Sequence, residues 1–170
     1  MLAAALSLLL IGLPCAAQGP SEYQVKAAFL LNFMKFVAWP PGALGNAGSP
    51  LSICILGDDP FGKDIDQIVE GETIGGRPVA IERVRKLPLP RSCNVLFVSR
   101  SEKDISEMMS GLPPGVLTVS DRDRFLQEGG MIAFVIADRR VRFDINQAAA
   151  MRASLTMNPL MLAVARSVQR

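Results

Sequence analysis

The chain has 170 residues, 18 Lys or Arg against 16 Asp or Glu, a net charge of +2 and no histidine. Balanced charge, scattered along the chain, leaves no basic footprint for nucleic acid. The missing imidazole removes Ser-His-Asp and Cys-His catalysis together with the commonest zinc sites, and the length fits one domain with a core of its own.

Leu2 to Leu13 form an apolar run followed by Pro14 and the small residues Cys15-Ala16-Ala17. This reads as a secretory h-region and cleavage site, so residues 1–17 are expected to be a signal peptide and 18–170 the mature domain. The run is too short for a stable bilayer anchor. Pro14, directly before Cys15, disfavours acylation of that cysteine, and the missing basic n-region suggests a start upstream of Met1. The expected location is the periplasm. Loss of Cys15 leaves Cys54 and Cys93, and an even pair in an oxidising compartment reads as one disulfide, the alternative being two separately buried thiols.

Ser21 and Gln24 form a capping box that opens a helix over Glu22 to Ala38, with Val25, Phe29, Phe33 and Phe36 as its apolar stripe. Trp39-Pro40-Pro41 ends it. After a Gly/Ala/Asn/Ser loop to Pro50, Leu51 to Leu56 reads as a buried strand closed by Gly57. Asp59-Pro60 suits the cap and first position of a second helix running to about Val69. Strands are expected over Val79 to Val84 and Asn94 to Val98. A Ser101-to-Asp104 capping box should start a third helix, and Gly111 to Gly115 is a turn.

Val116 to Val119 is a fourth strand, Arg122 to Gln127 a short helix, and Gly129-Gly130 a break before the strand Met131 to Ile136. Ala137 to Arg140 is a tight connection to the strand Val141 to Ile145, so those two must run antiparallel. Asn158 and Pro159 open a last helix. The order predicts a single α/β domain: a mostly parallel sheet with helices on both faces and an antiparallel hairpin at one edge.

No Walker sequence or Gly-x-Gly-x-x-Gly follows a strand, so a phosphate cradle is not expected, and no cofactor is implied. Asp58-Asp59, at the carboxyl end of the first long strand, could hold magnesium where open α/β sheets bind ligands. Signalling receiver domains share such a pair, yet the other strand ends here carry Ser99-Arg100 and Ala137-Asp138 in place of the phosphate-accepting aspartate and the lysine. The plainer reading of Asp59 is a helix cap. With Asp121 the pair supports an alternative function, a small-ligand binder or carboxylate-based enzyme. Asn32, on the apolar stripe, needs hydrogen-bond partners if buried and is otherwise a candidate partner contact. Trp39, the one tryptophan, covers a core edge or serves as a binding anchor. Gly129-Gly130 reads as a backbone requirement.

The segments Tyr23-Gln24-Val25-Lys26-Ala27-Ala28-Phe29, Asn32-Phe33 and Lys35 to Pro40 resemble the opening of the YfiR family. The likeness continues through Cys54 to Gly62, Gly76 to Val79, Cys93 to Ser99, Leu117 to Asp121, Phe125, Gly129 to Ile132 and Val141 to Asn146. It implies a non-catalytic periplasmic regulatory binder. In the best-understood member the partner is a membrane-bound sensor protein, a diguanylate cyclase, repressed through its periplasmic region so that cyclic di-GMP signalling falls. Cys54 and Cys93 match one bridge of that family, while its second cysteine pair, and any redox control through it, has no counterpart here. No membrane insertion of the mature chain is expected, and a homo-oligomer is compatible with the sequence.

Overall fold

The computed structural model describes residues 19–170. The expected signal peptide, its cleavage site and Cys15 lie outside the described residues. The first helix, α1 (Glu22–Phe36), carries the capping box: the Ser21 hydroxyl accepts from the Gln24 amide and the Gln24 side chain accepts from the Ser21 amide. It is shorter than the sequence suggests. Before Trp39-Pro40 the chain is already extended as β1 (Val37–Ala38), which pairs antiparallel with β9 (Thr156–Met157).

The remaining elements in chain order are β2 (Leu51–Leu56), α2 (Lys63–Val69), β3 (Thr73–Ile74), β4 (Arg77–Val84), β5 (Cys93–Val98), α3 (Ile105–Ser110) and β6 (Leu117–Ser120). After them come β7 (Ile132–Ala137), β8 (Arg140–Asn146), α4 (Gln147–Arg152), β9, α5 (Pro159–Val164) and β10 (Ser167–Gln169). Eight strands form one sheet in the order β10-β8-β7-β6-β5-β2-β4-β3, parallel except for the β7–β8 and β3–β4 pairs. The β7–β8 hairpin has one more strand outside it, because β10 pairs parallel with β8.

Every residue of β2 and β5 is buried, as expected of central parallel strands covered on both faces. The core divides at the sheet. Residues of α1, α2, α4 and α5 share the larger cluster with Ile53, Phe97, Phe134 and Phe143. Residues of α3 share the smaller one with Cys54, Leu56, Leu96 and Phe125.

Three local expectations fail for identifiable reasons. Helix α2 starts at Lys63 rather than at Asp59-Pro60, with Gly62 as its cap. The Asp59 carboxylate accepts from the Phe61 and Gly62 amides, 2.8 and 3.3 Å, and so organises the turn before the helix. Asp104 precedes α3 in the left-handed region, φ 54°, with no side-chain cap, while Ser101 turns away to accept from the Asp58 amide. Residues 122–128 form consecutive turns instead of a helix. There Phe125 is fully buried against Gly130, where an added Cβ would lie 2.3 Å from its ring. Gly130 is therefore required by a close approach of an aromatic ring.

Candidate functional site

The sheet reverses its winding between β2 and β5: the chain passes from β2 to β4 on one side and returns to β5 on the other. The carboxyl ends of these two strands are where an open α/β sheet would hold a ligand. Here that crevice is closed by the chain itself. The Ser99 amide donates to the Leu56 carbonyl at 2.9 Å, and the Asp58 amide to Ser101 Oγ at 3.0 Å. A Cβ on Gly57, φ 87°, would lie 2.6 Å from Ser101 Oγ and from Glu102 Oε1.

The acidic residues suspected of catalysis are employed elsewhere. Asp58 is exposed, and the Asp59 carboxylate is bonded by Arg83 Nε at 2.7 Å. Arg83 also bonds Asp66 and the Gly62 carbonyl, and its hydrogen bonds hold the Asp66 carboxyl below the usual carboxylate range. Among the described residues no group of three or more His, Cys, Asp or Glu could hold a metal ion, so Asp58, Asp59 and Asp121 are not brought together as the alternative reading requires.

Asp121, just beyond β6, anchors instead a buried charge network under the first turns of α1. Lys26 Nζ lies 2.6 Å from Asp121 Oδ2 and 2.5 Å from Glu22 Oε1, and the Lys26 side chain is 1% exposed. The Tyr23 hydroxyl donates to Asp121 Oδ2 at 2.9 Å, and Arg100 Nε to Oδ1 at 3.0 Å. Burial disfavours the Asp121 carboxylate, but the Lys26 ammonium, the Tyr23 hydroxyl and Arg100 outweigh it and keep its pKa below the ordinary value. Burial, together with the bond to that carboxylate, pushes Tyr23 up to about 12. Tyr23 also meets Phe61 edge to face, at 5.5 Å between centroids. A cation neutralised on both sides and sealed from water is positioned to hold α1 to the sheet.

An open, largely apolar concavity lies toward the other end of α1. Phe29, Asn32, Phe33 and Phe36 form one wall of a groove of about 330 Å³, Leu160, Met161 and Val164 of α5 form the other, and Phe143 of β8 lies at its floor. Phe36, Leu160 and Val164 are exposed, the last two by 67% and 65%. The geometry corrects the reading of α1. Its buried side consists of Lys26, Ala27, Leu30, Leu31, Phe33 and Met34, so of the apolar stripe only Phe33 turns fully inward, while Val25 and Phe29 are partly buried and Phe36 is exposed.

Asn32 is exposed in this stripe, so water solvates its amide and no buried partner is required. Trp39 is half-buried against the larger core cluster with Nε1 enclosed and unbonded, and it does not line the groove. Two devices join the groove's walls: the β1–β9 pair and the bond from the Asn158 amide to the Phe36 carbonyl, 2.8 Å. The Asn158 side chain caps α5 through the Leu160 amide, and Pro159 follows at its first turn, as the sequence predicts.

On the opposite side of the sheet, Cys54 and Cys93 lie at disulfide range, with α-carbons 5.8 Å apart on adjacent strands. Sequence reasoning missed the Lys26–Asp121 pair. The available signals were Glu22 four residues before Lys26, an ion-pair spacing, and the position of Lys26 beside Ala27 and Leu30.

A family model described as YfiR/HmsC-like matches residues 23–166 of the chain. Among solved structures, a conserved domain protein from Vibrio cholerae O1 biovar El Tor has a similar fold, with a TM-score of 0.50 and 9% sequence identity. The alignment covers 84% of this chain and 60% of that one, so the chain spans less than two thirds of that protein's length. At this identity the likeness is one of fold.

Proposed function

The chain belongs to the YfiR/HmsC-like family, and from that premise we propose that it binds the periplasmic region of an inner-membrane diguanylate cyclase through the groove between α1 and α5 and represses it. Proteins of this family are non-catalytic periplasmic binding and regulatory proteins linked to diguanylate-cyclase signalling. The observation that carries the reading for this chain is the exposed apolar surface of Phe36, Leu160 and Val164 around a groove with one polar wall residue, Asn32. Large apolar side chains gathered on a solvent-facing concavity are the usual mark of a protein contact. No helix among the described residues is long and apolar enough to cross a membrane.

The proposal extends to export and maturation. Residues 1–17 act as the export signal, the mature chain begins near Gln18 in the periplasm, and Cys54 and Cys93 are joined there. Mass spectrometry of periplasmic protein tests these points together, and an acylated Cys15 or two free thiols would contradict them.

The function is tested in cells that lack the endogenous protein and produce the cyclase. Wild-type protein should lower cyclic di-GMP, and the double variant L160D/V164D should not, although it is exported and folded. Repression by that variant equal to wild type would refute the assigned surface.

A further inference from the structure

The apolar groove does not stop at Phe29. On the other side of this ring a second concavity of about 460 Å³ continues along α1, bounded by Val25 and Glu22 of the helix and by Ile136, Arg139, Arg140 and Val141 of the β7–β8 hairpin. Phe29 borders both cavities, so they adjoin along one side of a 15-residue helix, about 22 Å long at 1.5 Å per residue, and together make up a trough. Its two ends differ in charge. The α5 end is apolar, whereas the hairpin end carries two exposed arginines that make no salt bridge among the described residues. Glu22, the carboxylate on that rim, is engaged by Lys26 at 2.5 Å.

The hairpin accepts strain to present this end. Asp138 and Arg139 form its two-residue turn with φ of 51° and 58°, left-handed values at which Asn-Gly would be easiest. An arginine at the tip, followed by a second one, is therefore not what the turn's own geometry selects. Ile136, 54% exposed, adds apolar surface next to them.

We infer that the trough receives an amphipathic helix of the partner, about four turns long, with its apolar stripe on Phe29, Phe36, Leu160 and Val164 and carboxylates at the end that meets Arg139 and Arg140. The inference rests on the proposed repression through the α1–α5 groove and adds to it the class of the partner element and the direction in which it lies. A helix fits because its side chains at i, i+4, i+7 and i+11 lie on one face over about this length. The unpaired arginines set polarity, since rim charges mainly steer encounter and orientation.

The test uses fluorescence anisotropy of the mature protein with two designed amphipathic peptides of about 15 residues. They share one apolar stripe and differ at one end, which carries two glutamates in the first and two lysines in the second. The glutamate peptide should bind wild type, and R139E/R140E should weaken it about tenfold at low ionic strength while strengthening the lysine peptide. Equal binding of both peptides, unchanged by charge reversal, would overturn the inference. So would concentration-dependent self-association, abolished by R139E/R140E, without peptide binding, because a second copy would then fill the trough. In cells, normal repression by R139E/R140E alongside lost repression by L160D/V164D would overturn the oriented helix and leave the proposed function standing. Normal repression by both would refute the proposed function itself.

Discussion

The two ends of α1 solve opposite problems with the same helix. At its start, the carboxyl ends of the parallel strands offer the usual ligand crevice, and the chain closes it with Lys26, Asp121, Tyr23 and Arg100 below and Ser101 and Glu102 beside them. At its end, aromatic and aliphatic side chains that could have joined the core stay exposed around a groove. The charged end holds the fold and the apolar end is the proposed partner surface, which inverts the habit of looking for function where charges gather. A buried charge cluster marks an active site only when a space for substrate adjoins it.

Changes at the closed end should cost stability, and changes at the open end should cost binding. The largest stability effect is expected from Lys26→Met, which removes the buried cation and leaves the Asp121 carboxylate with only Tyr23 and Arg100 as partners. Losses of this kind amount to about 3–5 kcal/mol, read by urea unfolding. Adding Asp121→Asn should recover part of the loss, and a double variant as unstable as the single one would show that packing rather than charge is at stake. Next, replacing Cys54 and Cys93 by serine should remove up to about 4 kcal/mol under oxidising conditions, on the chain-entropy model for their separation of 39 residues. The two proteins should converge in reductant. If they melt together without it, the bridge contributes nothing to stability.

A smaller effect should appear on acidification. Asp121, Asp66 and Asp144 have folded pKa values below their ordinary ones, the last through its hydrogen bond from Arg166. Their contribution is present above the unfolded value, about 3.9, and is lost as pH falls through the folded values. Unfolding free energy should therefore decline below about pH 4, less steeply in Asp121→Asn; an unchanged slope would remove Asp121 from the account. The smallest stability change is expected from L160D/V164D, within about 0.5 kcal/mol per substitution because both sites are solvent-exposed. A large loss there would make the α5 surface part of the core and blur the division between the two ends.

Much of the sheet could be read from residue order because its central strands are short, continuous apolar runs bounded by Gly57 and Ser99, and nothing else fits such runs when both faces are covered. The capping box at Ser21 and the Asn158-Pro159 start were legible for the same reason: their chemistry is local. What escaped depends on distant partners. Strands β1, β9 and β10 are two or three residues long and exist only through pairing across the chain. Helix α4 lies where Asn146, the last residue of β8, caps the next element through the Ala149 amide, so one residue serves both and no loop marks the boundary. The orientation of α1 is not legible because both its faces are apolar, and periodicity identifies a stripe without saying which stripe turns inward. Lys26 finds its counterion in Asp121, far along the chain, a pairing that no local pattern announces.

The β1–β9 pairing has a kinetic corollary. The walls of the groove come from opposite ends of the described chain, and their union through Val37 and Met157 is a contact of very long sequence separation. Contacts of this kind are entropically slow to form. A chain that has built its first helix and central strands still has no groove until the last strand pair and α5 arrive. The proposed partner surface is thereby tied to completion of the fold, and half-folded molecules lack it.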